Sequence, residues 1–266
     1  MAFAFLIALL AGLATSIGGW LGTHKRLQRR SLFAAALAFA AGAMLFVSFV
    51  EIVPLGISEL SGVMSAKEAQ LLTYGLFLLG IVIVGLIDRF LPHSLNPSEI
   101  EGKEASLPDK DTRANKKLLR SGLLVALVLA LHNFPEGMST FFAAYEDASL
   151  GITLAIAIAI HNIPEGIAVA APIYRATGSR RRAFWWATAS GLAEPLGALV
   201  GAWLVLTIVP AAYTGVVFGL IAGMMVFVAI DELLPAARRY QTDKHQVVYG
   251  LLAGMAIVGL SLVLMS

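Results

Sequence analysis

The sequence contains no cysteine, little charge and only five histidines. Without cysteine it has neither a disulfide framework nor a thiolate metal site. Lys, Arg, Asp and Glu make up 14% of its 266 residues, against about 25% in an ordinary soluble domain. So few charges cannot cover a soluble surface of this size. The deficit excludes a disordered chain, a nucleic-acid binder and a small secreted scaffold. In place of charge the chain is 58% hydrophobic, with a mean hydropathy of +0.81. The net charge of +2 says little until the charges are placed along the chain. The composition is that of a polytopic membrane protein, in which 17 acidic residues and five histidines need a reason.

A helix crosses the hydrocarbon with about 20 mainly apolar residues. Eight stretches qualify, at 2–22, 32–56, 71–91, 119–144, 150–173, 184–208, 212–235 and 247–265. The first is not read as a signal peptide, because Lys25, Arg26, Arg29 and Arg30 follow the apolar run instead of preceding it. A further absence orients the chain. The loops after spans 1, 3, 5 and 7 hold 18 of the 19 Lys and Arg residues, and the alternate loops hold only Lys67. Positive loops stay cytoplasmic. Both termini are therefore expected outside, and the number of spans must be even. The connection at 92–118 mixes acids, lysines and prolines and reads as a flexible cytoplasmic linker. Its single histidine, His93, gives no support for a histidine-rich metal-capture loop.

The spans repeat. AGAMLFVSFVEIVP at 41–54 matches AGMMVFVAIDELLP at 222–235 in 7 of 14 positions. GLATSIGGWLG at 12–22 lies against GLAEPLGALVG at 191–201, and HNFPEG at 132–137 against HNIPEG at 161–166. Each pair joins spans that cross in opposite directions, so the repeats are inverted. The expected fold is all-α, an eight-helix bundle with a 3+2+3 inverted-repeat order. Inverted repeats are typical of transporters that alternate access around a midplane site.

Ionisable groups at bilayer depth are costly and mark function. His132, Asn133 and Glu136 fall in the middle of span 4, and His161, Asn162 and Glu165 in the middle of span 5. His and Glu at i, i+4 and Asn and Glu at i, i+3 share one helical face. Pro135 and Pro164 are expected to kink each helix around a broken turn. Two facing copies then offer two imidazoles, two amide oxygens and two carboxylates, a donor set suited to Zn, Fe or Mn. Two His and two Glu fill a four-coordinate zinc shell. The two Asn, with Glu194 of span 6, are left for a second, oxygen-rich position sharing Glu136 and Glu165. The other reading of Glu194 is a packing partner beside Pro195. Adjacent carboxylates in low dielectric need a cation or protons, which is a physical route to metal–proton exchange. Met44, Ser48 and Glu51 share a face of span 2 and read as lining of the ion path, with packing as the alternative for Met44. Asp88, Asp231 and Glu232 read equally as exit-path groups or solvated helix ends. Glu146 and Asp147 read as a solvated outer turn.

HNFPEG and HNIPEG, together with AGAMLFVSFVEIVP and GLAEPLGA, resemble the ZIP family of divalent-metal transporters, and within it the ZupT-like bacterial subgroup. The resemblance covers all eight spans. It implies a bundle with both termini outside, in a bacterial inner membrane, importing Zn(II) and also Fe(II), Mn(II), Co(II) or Cd(II). It implies a binuclear centre, with one ion on His132, Glu136, His161 and Glu165 and the other on Asn133, Asn162 and Glu194 with the same two bridging carboxylates. Met44 and Glu51 correspond to pathway positions. Some relatives carry Gln-Asp where this chain has His161-Asn162, which gives this centre one more His and one less acid. The expected partners are divalent metal ions and the lipid bilayer, with a homodimer as the implied assembly and no nucleic acid. Zn(II) or Fe(II) is bound as cargo, and no catalytic cofactor is expected.

Two other functions compete with a secondary transporter. An ungated metal channel needs the same donors. A membrane di-metal enzyme is disfavoured, because bundle di-iron sites use Glu-x-x-His whereas this chain has His-x-x-x-Glu, and HExxH is absent.

Overall fold

Apolar segments in hydrocarbon must satisfy every backbone N–H and C=O within themselves, and a helix does so. The computed structural model describes residues 1–26, 28–90, 112–208 and 213–265. The described residues form eight long helices and no strand. These are α1 (Ala2–Leu21), α2 (Arg30–Ser61), α3 (Ala66–Phe90), α4 (Thr112–Glu146), α5 (Ala148–Thr177), α6 (Arg180–Thr207), α7 (Gly215–Tyr240) and α8 (Gln246–Met265). Seven are long and apolar enough to cross a membrane, and the eighth, α4, runs for 35 residues. The protein is thus a multi-pass helical membrane protein. The helix of HNFPEG starts early enough that 112–118 is helical, not linker. The rest of the expected linker, 92–111, lies outside the described residues.

The broken turns expected at Pro135 and Pro164 are not found: neither proline interrupts its helix. A missing N–H removes one bond, and the flanking bonds carry the helix through. The break occurs instead in α6, at Leu192, between segments Arg180–Gly191 and Ala193–Thr207. Pro195 cannot donate to the carbonyl of Gly191, and this places Glu194 in the first turn of the second segment. In α2 and α7 the backbone widens to a single π turn, at Ser48–Ile52 and Ala229–Leu233. The two turns occupy the same columns of the 41–54 and 222–235 repeat, and each precedes its proline, Pro54 or Pro235, by the same interval.

Packing follows the repeats to the level of single atoms. A methyl group on Gly166 of α5 would lie 2.0 Å from the Thr15 carbonyl of α1, and one on Gly137 of α4 would lie 1.9 Å from the Glu194 carbonyl of α6. Thr15 and Glu194 are repeat mates. Likewise Gly18 meets the Ile163 carbonyl at 2.0 Å and Gly197 the Phe134 carbonyl at 1.9 Å. Such approaches tolerate no side chain, which is why glycine recurs on these faces. The other helices repeat the arrangement. Gly42 of α2 abuts the Leu251 carbonyl of α8, and its mate Gly223 of α7 abuts the Phe77 carbonyl of α3. Gly254 against Phe39 and Gly80 against Leu220 continue the match. This pairs α3 with α8, a repeat with no visible counterpart in the sequence.

The helices therefore sort into two groups. Helices α1, α4, α5 and α6 pack together, as do α2 with α8 and α3 with α7; the groups meet along α2–α5 and α4–α7. The peripheral α3 and α8 turn apolar faces outward, with Leu71, Leu264 and Val263 among the most exposed residues.

Candidate metal centre

The residues of HNFPEG and HNIPEG meet where α4 crosses α5. Asn133, Glu136, His161, Asn162, Glu165 and Glu194 are all fully buried. One donor atom from each of Glu136, His161 and Glu165 falls within 4.8 Å of the others. The Nδ1 atom of His161 lies 3.1 Å from the Ala157 carbonyl, one turn back on α5. Its proton belongs on that nitrogen, which leaves the Nε2 lone pair facing Glu136 Oε1 at 3.2 Å. Two acceptors at that separation need a proton or a cation. Two ligand atoms on a tetrahedral zinc stand about 3.3 Å apart when each bond is about 2.0–2.1 Å.

The two asparagines are fixed through their amide nitrogens. Asn162 Nδ2 donates to the Ala11 carbonyl of α1 at 2.9 Å, and Asn133 Nδ2 donates to the Ser190 carbonyl of α6 at 3.2 Å. Ala11 and Ser190 are themselves repeat mates, so the symmetry reaches the side chains. Asn162 Nδ2 also donates to Glu194 Oε1. With the nitrogens occupied, the oxygens are turned to the interior. Asn133 Oδ1, Asn162 Oδ1, Glu136 Oε2, both Glu165 oxygens and Glu194 Oε2 have no hydrogen-bond partner among the described residues. Six such buried acceptors cost several kcal/mol if left unsatisfied, at about 1–3 kcal/mol each.

His132 is buried but stands apart from the three-residue cluster. It lies on the wall of a cavity of about 230 Å³ that runs between α4 and the helices α2, α3 and α7. Met44, Met224, Met225, Asp88 and Glu232 share that wall. At its far end Asp88, Asp231 and Glu232 bring one carboxylate oxygen each within 4.8 Å of one another. Asp88 and Glu232 stand near the C-terminal ends of α3 and α7, which carry Arg89 and Arg238–Arg239 in their last turns. The structure thus places Met44, His132, Asp88 and Glu232 around one cavity, with Asp231 beside it. It does not bring Ser48 or Glu51 there. The Ser48 hydroxyl donates to the Met44 carbonyl at 2.8 Å within its own helix, and half-buried Glu51 occupies the π turn of α2. On the opposite side Asp147 caps α5 by accepting from Leu150 N at 2.9 Å, and Glu146 accepts from the Thr214 hydroxyl at 3.0 Å.

Two features escaped the sequence reading. Met225 lines the cavity with Met44, and the signal was present, since the two share a column of the repeat. Thr15, buried at the position matching Glu194, breaks the repeat there: α6 carries an acid and α1 only a hydroxyl.

Comparison with known proteins agrees with this architecture. The family model for the ZIP zinc transporter matches residues 91–262. The chain is 47% identical over 265 residues to the zinc transporter ZupT of Corynebacterium aurimucosum, covering 99% of this chain and 97% of the relative. It is 43% identical to the zinc transporter ZupT of Streptococcus mutans, covering 98% and 97%. For that of Clostridium perfringens the identity is 42%, covering 98% and 95%. With matches of this identity running nearly end to end, the chain belongs to the ZIP zinc transporter family.

Proposed function

We propose that the protein imports divalent cations into the cytoplasm by alternating access, zinc first and also Fe(II), Mn(II), Co(II) and Cd(II). The observation that carries this is the set of buried, unpartnered carboxylate and amide oxygens around His161. Carboxylates this close in low dielectric need a divalent cation or protons between them. Its relatives are named zinc transporters.

In this reading one ion takes Glu136, His161 and Glu165, with His132 turning in from the cavity wall as the fourth donor. A second takes Asn133 Oδ1, Asn162 Oδ1 and Glu194, with Glu136 and Glu165 as bridges. The cavity leads from His132 to Asp88, Asp231 and Glu232 and serves as the exit, since positive-inside loops lie at that end. Glu51, the repeat mate of Glu232, holds the matching position toward the entrance. The protein is read as a carrier of the bacterial inner membrane with both termini outside.

Uptake of zinc into proteoliposomes tests the reading. Saturable uptake is expected from the wild type and is lost in Glu136→Ala and His161→Ala, each checked for a monodisperse gel-filtration profile. Unchanged uptake in either folded variant overturns the assignment.

A further inference from the structure

Arg30, Arg175 and Arg239 come from three helices and converge at the end of the bundle that carries the basic connections. Arg30 opens α2, Arg175 lies in the last turn of α5 and Arg239 in the last turn of α7. The Arg30 Nη2 group donates to the Arg239 carbonyl at 3.1 Å, which pins the start of α2 to the end of α7. Phe33 and Tyr240 pack edge to face beside this bond, with ring centroids 4.7 Å apart. The Tyr240 phenol stands within electrostatic reach of all three guanidinium groups.

The charges in this cluster do not balance. Arg239 has the Glu232 carboxylate within reach. Arg30 and Arg175 make no ion pair with a carboxylate among the described residues. Half-buried Arg175 has Arg30 and the Tyr240 phenol as its electrostatic neighbours. Like charges drawn together away from bulk water are unfavourable without an anion between them. A guanidinium presents five donors in a fork that matches phosphate oxygens, and the carbonyl of Arg239 occupies only one of those on Arg30.

Depth selects the source of the anion. Trp20 near the end of α1 and Trp185 and Trp186 near the start of α6 are exposed at this same end of the bundle. Exposed tryptophan collects at headgroup level. Gln246 Nε2 donates to the Ser31 carbonyl and joins the start of α8 to the start of α2. The outward residues Val248, Tyr249 and Leu252 of α8 therefore continue from the arginines as an apolar wall. A soluble phosphate compound has no use for that wall, whereas acyl chains do. A zwitterionic headgroup would bring its own cation to the cluster, and an anionic one does not.

We propose that Arg30, Arg175 and Arg239 seat the phosphate of an anionic phospholipid, whose acyl chains lie along the outer face of α8. The seat bridges the two helix groups, since Arg175 belongs to one and Arg30 and Arg239 to the other.

Native mass spectrometry of the purified protein in detergent, with equal amounts of phosphatidylglycerol and phosphatidylcholine added, reads the seat directly. The wild type is expected to retain phosphatidylglycerol in preference. Arg30→Gln/Arg175→Gln should weaken that retention about 25-fold, at about fivefold for each arginine near a bilayer surface. Arg30→Gln alone, at an exposed position, should give about fivefold and carries the test if the double variant does not fold. Arg181→Gln/Arg182→Gln removes the same charge from exposed positions at the same end and should leave the preference in place. Each variant is first checked for a monodisperse gel-filtration profile. Excess inorganic phosphate should not displace the lipid. Equal retention of the two lipids by the wild type, an undiminished preference without Arg30 and Arg175, an equal loss in the Arg181 and Arg182 variant, or displacement by inorganic phosphate overturns the proposal.

Discussion

Glu165 carries the sharpest energetic statement at the residue scale. Both of its oxygens are buried without a partner among the described residues, and Glu136 faces it across the α4–α5 crossing. A carboxylate held this way stabilises a loaded centre and destabilises an empty one. Glu165→Gln removes the charge and keeps the shape. We expect the metal-free variant to gain about 1 kcal/mol or more, since replacing buried charge by neutral groups of similar volume is often stabilising. Zinc at one hundred times its Kd should add about 2.7 kcal/mol to the wild type by mass action and close to nothing to the variant. Thermal unfolding in detergent, with EDTA and then with zinc, checks both. A lowered metal-free Tm together with an undiminished zinc shift would refute the argument. The candidate donors themselves were legible in the sequence, because His, Asn and Glu at helical spacing in an apolar run are too costly to stand there without a ligand. Their division was not. His132 and His161 stand in identical motifs, yet His161 is locked to Ala157 inside the cluster and His132 lines a cavity. Only the neighbours contributed by α2, α3 and α7 make that difference.

Elements show where local rules stop. Pro54, Pro135, Pro164, Pro195 and Pro235 obey one rule, the loss of an N–H, and give three outcomes. Pro54 and Pro235 follow π turns, Pro195 follows a break, and Pro135 and Pro164 leave their helices continuous. No composition separates these cases. The Gly191 carbonyl is pressed against Gly12, and such a contact is invisible along the chain. Spans and most repeats were readable because apolar length and repeated motifs survive in the sequence. The α3/α8 match was not, because backbone-to-glycine contact constrains only a few positions. Glycine substitution tests the packing. Gly137→Ala drives a methyl group to 1.9 Å from the Glu194 carbonyl, a backbone atom that cannot swing aside. The expected cost is about 3 kcal/mol, the upper part of the usual overpacking range. Gly75→Ala on α3 meets nothing within 4 Å and should gain about 0.5–1 kcal/mol from helix propensity. Comparing the two unfolding temperatures separates tight crossing from a general intolerance of alanine.

At the scale of the molecule the order in sequence and the order in space part company. The repeats read 3+2+3, but the packing gathers α1, α4, α5 and α6 around the buried donors and sets α2, α3, α7 and α8 against them. The cavity follows the seam between these groups, with His132 of α4 on one wall and Met44, Asp88 and Glu232 on the other. In the transport reading proposed above, an ion leaving the centre would cross from one group to the other, toward the basic loops. The direction of transport then depends on which side those loops face. With 18 of 19 basic residues in those loops, the positive-inside rule expects them in the cytoplasm. The cysteine-free chain lets that be tested without background. Val63, exposed in the turn between α2 and α3, and His245, exposed in the turn between α7 and α8, lie at opposite ends of the bundle by this topology. In Val63→Cys, a membrane-impermeant maleimide should label intact cells stripped of any outer barrier. In His245→Cys, labelling should wait for permeabilisation of the bilayer. The reverse pattern would turn the cavity outward, and Asp88, Asp231 and Glu232 would then collect ions instead of releasing them.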